Sequence, residues 1–216
     1  VTIRLSTQET PVVQETRSFV SSENIIYEMT FDKLIWGGDY VANKTGMYPG
    51  HQNLTVTPDT PATTVATAGQ DGSGDFFNAG MNPAFTADRG LAEWAGSKVY
   101  EHPGYPKMGT GSALGWIMSP ALNFQALGLT EPQNIFVQFD YCRWDGEQDD
   151  IVVTAENAGS MPETQLVKDH PKRTWQSIVF KVTDATSETR IKISGTKAGS
   201  NRFFIDNFRV YVSQAV

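Results

Sequence analysis

Cysteine is almost absent from this 216-residue chain: Cys142 stands alone, which excludes an internal disulfide, a Cys-based zinc cluster and a CxxC redox pair. Its place inside an apolar run reads as a small buried hydrophobe. Long apolar runs are missing too, and no window holds the roughly 18 apolar residues that a membrane-spanning helix requires. Positive charge is scarce: 17 Lys+Arg face 24 Asp+Glu, the formal net charge is −7, and no Lys/Arg cluster occurs. The chain therefore lacks the electrostatic footprint for phosphate backbones or anionic membranes, which argues against nucleic acid and membrane insertion and leaves neutral ligands as the expected partners.

Enzyme signatures are likewise missing. There is no Gly-x-Ser-x-Gly elbow, no His-Glu-x-x-His and no phosphate-cradling glycine loop. Asp71-Gly72-Ser73-Gly74-Asp75 begins like a calcium loop, but Phe76 stands where the turn glycine belongs and Asn82 where the bidentate Glu belongs. Glu147-Gln148-Asp149-Asp150-Ile151-Val152 partly matches the Glu-x-Asp-x-x-Glu of sandwich-fold glucanases, yet Val152 replaces the third acid and leaves the acid/base pair incomplete. A non-catalytic protein is expected.

What the chain does contain is period two. Hydrophobic residues make up 39%, with 19 Gly and 11 Pro, as in a globular, turn-rich domain rather than a disordered chain. Ile25, Tyr27, Met29 and Phe31 alternate with Ile26, Glu28, Thr30 and Asp32, and Ile135, Val137, Phe139 and Tyr141 with Phe136, Gln138, Asp140 and Cys142. Further short strands are predicted at 115–120, 151–155, 176–182, 190–194 and 202–212, with weaker ones at 53–56 and 97–100 and a helical turn around Arg89–Trp94. Strands of this length, with almost no helical pattern, predict an all-β chain folded as an antiparallel β-sandwich of jelly-roll type. Residues 1–18 read as an N-terminal extension or added edge strand, and 19–216 as a single domain. The chain opens at Val1 with no initiator Met and no signal segment, which reads as a processed chain whose address has been removed.

Several segments combine into a familiar order: Phe31-Asp32-Lys33-Leu34-Ile35-Trp36, Lys98-Val99-Tyr100, Tyr105-Pro106-Lys107-Met108-Gly109-Thr110, Gly115-Trp116-Ile117-Met118-Ser119-Pro120-Ala121-Leu122, Phe136-Val137-Gln138-Phe139-Asp140-Tyr141 and the closing Arg202-Phe203-Phe204-Ile205-Asp206-Asn207-Phe208-Arg209-Val210. This order resembles the galactose-binding-like and MAM-like jelly-roll modules of secreted and surface proteins of gram-negative bacteria that handle glycans. The resemblance implies a non-catalytic glycan-binding module, extracellular or at the cell surface, within a larger protein or assembly. The alternative role on the same sandwich is structural or adhesive, through protein contacts.

Two sets of residues follow as site candidates. By period two, Asp206 points the same way as Phe204, Phe208, Val210 and Val212, and a carboxylate on an apolar face needs a cation or hydrogen-bond donors. The resemblance implies one structural calcium ion shared by Asp206 and Asp32, or by Asp206 and Glu28 in another register; backbone N–H groups or a buried Arg would serve Asp206 equally. The second set is aromatic. Neutral sugars stack on exposed rings beside polar groups, and Trp116 and Tyr141 read as core, so the rings left for solvent lie at strand ends and in loops. Trp144 with Arg143 and Asp145 is the densest such group, and Trp94 and Tyr48 are candidates to join it.

Overall fold

A computed structural model describes residues 25–34, 75–79, 83–102, 104–144, 150–161, 165–167 and 175–212. The expected extension at 1–18 and the strand at 53–56 lie outside these residues. Eleven strands are present among them: β1 (Ile25–Met29), β2 (Ala95–Ser97), β3 (Val99–His102), β4 (Tyr105–Met108), β5 (Trp116–Met118), β6 (Gln133–Arg143), β7 (Ile151–Glu156), β8 (Gln165–Val167), β9 (Gln176–Ala185), β10 (Arg190–Gly195) and β11 (Phe203–Val212). One sheet, A, runs β3-β4-β11-β6-β9, with β1 also on β11; the other, B, runs β2-β5-β10-β7-β8, and every pairing is antiparallel.

From β4 onward the order is a jelly roll. The set β4-β11-β6-β9 packs against β5-β10-β7-β8, and the chain crosses between sheets at every connection except β7 to β8. Period two explains the core: Ile135, Val137, Phe139 and Tyr141 of β6, Phe180 and Val182 of β9, Ile151 and Val153 of β7, and Ile191 and Ile193 of β10 are all buried in one cluster. No long helix falls within the described part of 130–212, and no described helix is long and apolar enough to cross a membrane.

Three elements differ from the sequence expectation, each for a local reason. The strand expected at 97–100 is two strands in two sheets, because Lys98 takes a left-handed conformation (φ 57°) between β2 and β3. Asp75 fixes that crossing: its buried carboxylate accepts the backbone N–H groups of Lys98 at 2.8 Å and of Val99 at 3.2 Å. The helical turn expected at Arg89–Trp94 lies earlier, as a short helix α1 (Pro83–Asp88) opened by Pro83, whose missing N–H costs a first turn nothing. Arg89, just past the helix, is buried and reaches Glu101 of β3 through an Nε–Oε1 contact of 2.6 Å.

The third difference concerns β11. Asp206 pairs with Asp140, but the next pair is Arg209 with Gln138, so β11 carries one extra residue. Asn207 absorbs it at φ 49°, a bulge that swaps the two faces of the strand. Phe203 and Ile205 face the core before it, and Phe208 and Val210 after it, whereas Phe204 and Asp206 point outward. The expectation that Asp206 shares a face with Phe208 and Val210 is thereby corrected.

Candidate functional site

The outer face of sheet A is the side turned away from sheet B, and β11 and β6 cross its middle. Its two ends are built differently. Toward the C-terminal end of β6, Phe204, Cys142, Tyr105 and Trp144 form a second buried cluster, with Trp175 packed against it. Tyr105 stacks on His102 and meets Phe204 edge to face at 5.4 Å. Burial in this wall pushes the Cys142 thiol up to about 12 and the His102 imidazole down to about 3, so both are neutral near pH 7. Cys142 is thus the inert buried thiol that its sequence context predicts.

Here the expected aromatic site is corrected. Trp144 is 7% exposed: Phe204 stacks against it at 5.6 Å, the Arg202 guanidinium lies 4.2 Å from the ring centre and the Lys107 ammonium 5.4 Å away. A sugar finds no free ring face. Trp94 is 5% exposed and belongs to the main core, where it packs on Phe31, Tyr27 and Phe208 and donates its indole N–H to the Tyr27 hydroxyl at 2.8 Å. The reason is common to both: strand-end rings here are roofed by neighbouring elements. Arg143 is half-buried beside Trp144, and Asp145 and Tyr48 lie outside the described residues. Trp116, expected in the core, is instead half-exposed on the outer face of sheet B beneath Lys192, whose ammonium is 4.7 Å from the ring centre.

The other end of the outer face is open. Phe136 of β6 lies directly opposite Tyr211 of β11, and the two half-exposed rings run near-parallel, 5.6 Å apart at 18°. Lys181 of β9 flanks Phe136, and Ile25 of β1 flanks Tyr211. In the next row Arg209 donates from Nε and Nη2 to the Gln138 side-chain oxygen at 3.2 and 2.9 Å, while Gln138 donates to the Ser177 hydroxyl at 2.8 Å. Val179 completes that row, 49% exposed. Asn207 then donates its side-chain amide to Asp140 at 2.9 Å. These are apolar and polar groups held by bonded neighbours on rigid strands, side by side and reachable from solvent. The sequence carried the signal: Phe136 occupies a polar phase of β6, alongside Gln138 and Asp140.

A cleft of about 620 Å³ lies where β5, β7 and the β9–β10 turn end, lined by Glu93, Asn123, Gln125, Asn157, Glu188 and Arg190 among others. It is polar, and no aromatic ring is among its described lining residues. Arg190 is committed there to the backbone carbonyls of Ser119 at 2.7 Å and Glu93 at 3.0 Å.

Asp206 is buried, and its carboxylate accepts the Asn207 backbone N–H at 2.7 Å, so a backbone donor engages it. Asp32 is exposed in the turn after β1. Among the described residues no group of three or more His, Cys, Asp or Glu side chains could hold a metal ion.

No family model matches the chain, and neither does any curated protein. Solved structures do superpose on it. The CBM22-1 xylan-binding domain of Paenibacillus barcinonensis Xyn10C is 13% identical, with a TM-score of 0.39 over 58% of this chain and 88% of that one. A CBM61 module in complex with β-1,4-galactotriose is 12% identical, with a TM-score of 0.40 over 56% and 88%. The K3 cleaved adhesin domain of Lys-gingipain from Porphyromonas gingivalis is 10% identical, with a TM-score of 0.35 over 52% and 77%. The jelly roll itself rests on this chain's own strand order.

Proposed function

We propose that this chain is a non-catalytic carbohydrate-binding module, acting outside the cell or at its surface within a larger protein, and that it holds its saccharide on the open end of the outer face of sheet A. One observation carries the reading: the Phe136–Tyr211 ring pair stands half-exposed directly beside the Arg209–Gln138–Ser177 chain of hydrogen bonds. Saccharides present C–H patches that pack on aromatic surface and hydroxyls that exchange hydrogen bonds with amide, guanidinium and hydroxyl groups. Both kinds of partner are fixed here before any ligand arrives, which spares the entropy of ordering them.

A glycan array followed by calorimetry tests this. Phe136→Ala and Tyr211→Ala should each weaken binding at least tenfold while leaving the melting temperature close to that of the parent. Full affinity in both variants would sink the reading. A second reading, a structural or adhesive module that binds protein, is favoured by the burial of Trp94 and Trp144. It gains if the array yields no ligand.

A further inference from the structure

We infer that the open end of the outer face takes an acidic saccharide, one bearing a carboxylate or sulfate group, in preference to a neutral one; the inference rests on the saccharide reading above and names the ligand class of that same site. The formal net charge of −7 points to a chain with acid to spare for every base. Yet the two cations around the Phe136–Tyr211 pair have no acidic partner among the described residues. Arg209 makes its two bonds to a neutral amide oxygen and lies 6.0 Å from the centre of the Tyr211 ring. Lys181 is exposed beside Phe136. Glu28 sits opposite Arg209 on β1, but no ion pair joins them, and Asp140 receives the amide of Asn207.

The geometry suits an anion. A guanidinium carries five N–H donors, and Gln138 occupies two, so the remainder of a group already locked in place is available. Lys181 lies on β9 in the same row as the ring pair and Arg209 on β11 one row along; two strand spacings across and two residues along put their backbones about 12 Å apart, one cation beside Phe136 and the other beside Tyr211. A saccharide packed on the rings brings its charged substituent within reach of either cation. Because both groups are solvent-accessible, the attraction is open to screening by salt.

Calorimetric titration of the whole chain with three probes tests the inference: an oligogalacturonate, a sulfated galactan oligosaccharide and a neutral galactan oligosaccharide. At least one acidic probe should bind ten times more tightly than the neutral one or better, and lose most of that margin between about 0.05 and 0.5 M NaCl. The carboxylate and sulfate arms then show which anion is read. Lys181→Gln and Arg209→Gln should each erode the margin, whereas Lys192→Gln, on the outer face of sheet B, should not. Equal or tighter binding of the neutral probe, lost in Phe136→Ala, overturns the acidic preference and leaves the saccharide site standing. Binding of any probe that is indifferent to both Phe136→Ala and Tyr211→Ala overturns the saccharide site and, with it, this inference.

Discussion

The outer face of sheet A carries aromatic rings at both ends, on or just past the same two central strands, and the two ends stand in opposite relation to water. Phe204 and Trp144 are covered; Phe136 and Tyr211 are half-exposed. The difference comes from what lies beside them. At the covered end the β3–β4 hairpin adds His102 and Tyr105, whose rings meet Phe204 edge to face, and Lys107, whose ammonium lies over Trp144. At the open end the flanking strands offer Ile25, Val179 and Lys181, none of which brings a ring against Phe136 or Tyr211. Aromatic residues near strand ends are therefore no guide to a site until the neighbouring strands are known.

The comparison breaks most visibly under truncation. Phe204→Ala should lose about 3–5 kcal/mol of stability in a denaturant titration, as expected for an emptied core position, against less than about 1 kcal/mol for Phe136→Ala. Similar losses at the two positions would mean that the ends are equally buried in solution. Acid acts on the covered end next. His102 is fully buried, with no hydrogen-bond partner for either ring nitrogen among the described residues, and burial lowers its pKa from 6.5 to about 3. The unfolded chain thus binds the proton more readily. The contribution of His102 is complete above about pH 6.5 and is lost as the pH falls toward 3, with a slope of up to about 1.4 kcal/mol per pH unit. His102→Phe should flatten that limb relative to the parent, and identical acid limbs in the two proteins would count against a buried neutral imidazole.

Asn207 sharpens the boundary between the ends. A β-branched residue resists φ 49°, so Asn207→Val should cost about 1–2 kcal/mol while Asn207→Gly costs a few tenths, read from urea midpoints. Equal midpoints for the Val and Gly variants would refute a left-handed bulge. The smallest effect expected is from chelation: with Asp206 served by the Asn207 N–H, excess EDTA should leave the melting temperature unchanged. A fall would point to calcium at Asp206.

Much of the roll is legible in the sequence alone. In β6, β7, β9 and β10 one face is apolar and the other polar, so alternation marks both the strand and its inward side. β4 escaped because all four of its residues, Tyr105 to Met108, are buried on both faces and show no alternation. The bulge at Asn207 escaped because counting by two cannot register an inserted residue, and it carried Asp206 onto the wrong side. Site reading failed at Trp144 and Trp94 for a different reason: their covers, Phe204, Arg202 and Lys107 for one and Phe31, Tyr27 and Phe208 for the other, are distant in sequence. Phe136 could have been found, since an aromatic residue in the polar phase of a strand asks what it is doing in water.

The central seat of β11 has a consequence for how the chain reaches this state. Its hydrogen bonds join β6 on one side and both β4 and β1 on the other, so without Phe203–Val212 sheet A is a β6–β9 ribbon, a separate β3–β4 hairpin and a single unpaired strand. Met108 must find Phe203 across nearly half of the sequence, and Met29 must find Phe208 across most of it. Contacts of such separation incur their loop-closure entropy before they return any burial, which places this domain among the slow folders of high contact order. During synthesis the earlier strands wait with exposed edges until the last one emerges, and the same strand that completes the proposed binding face also ends that exposure.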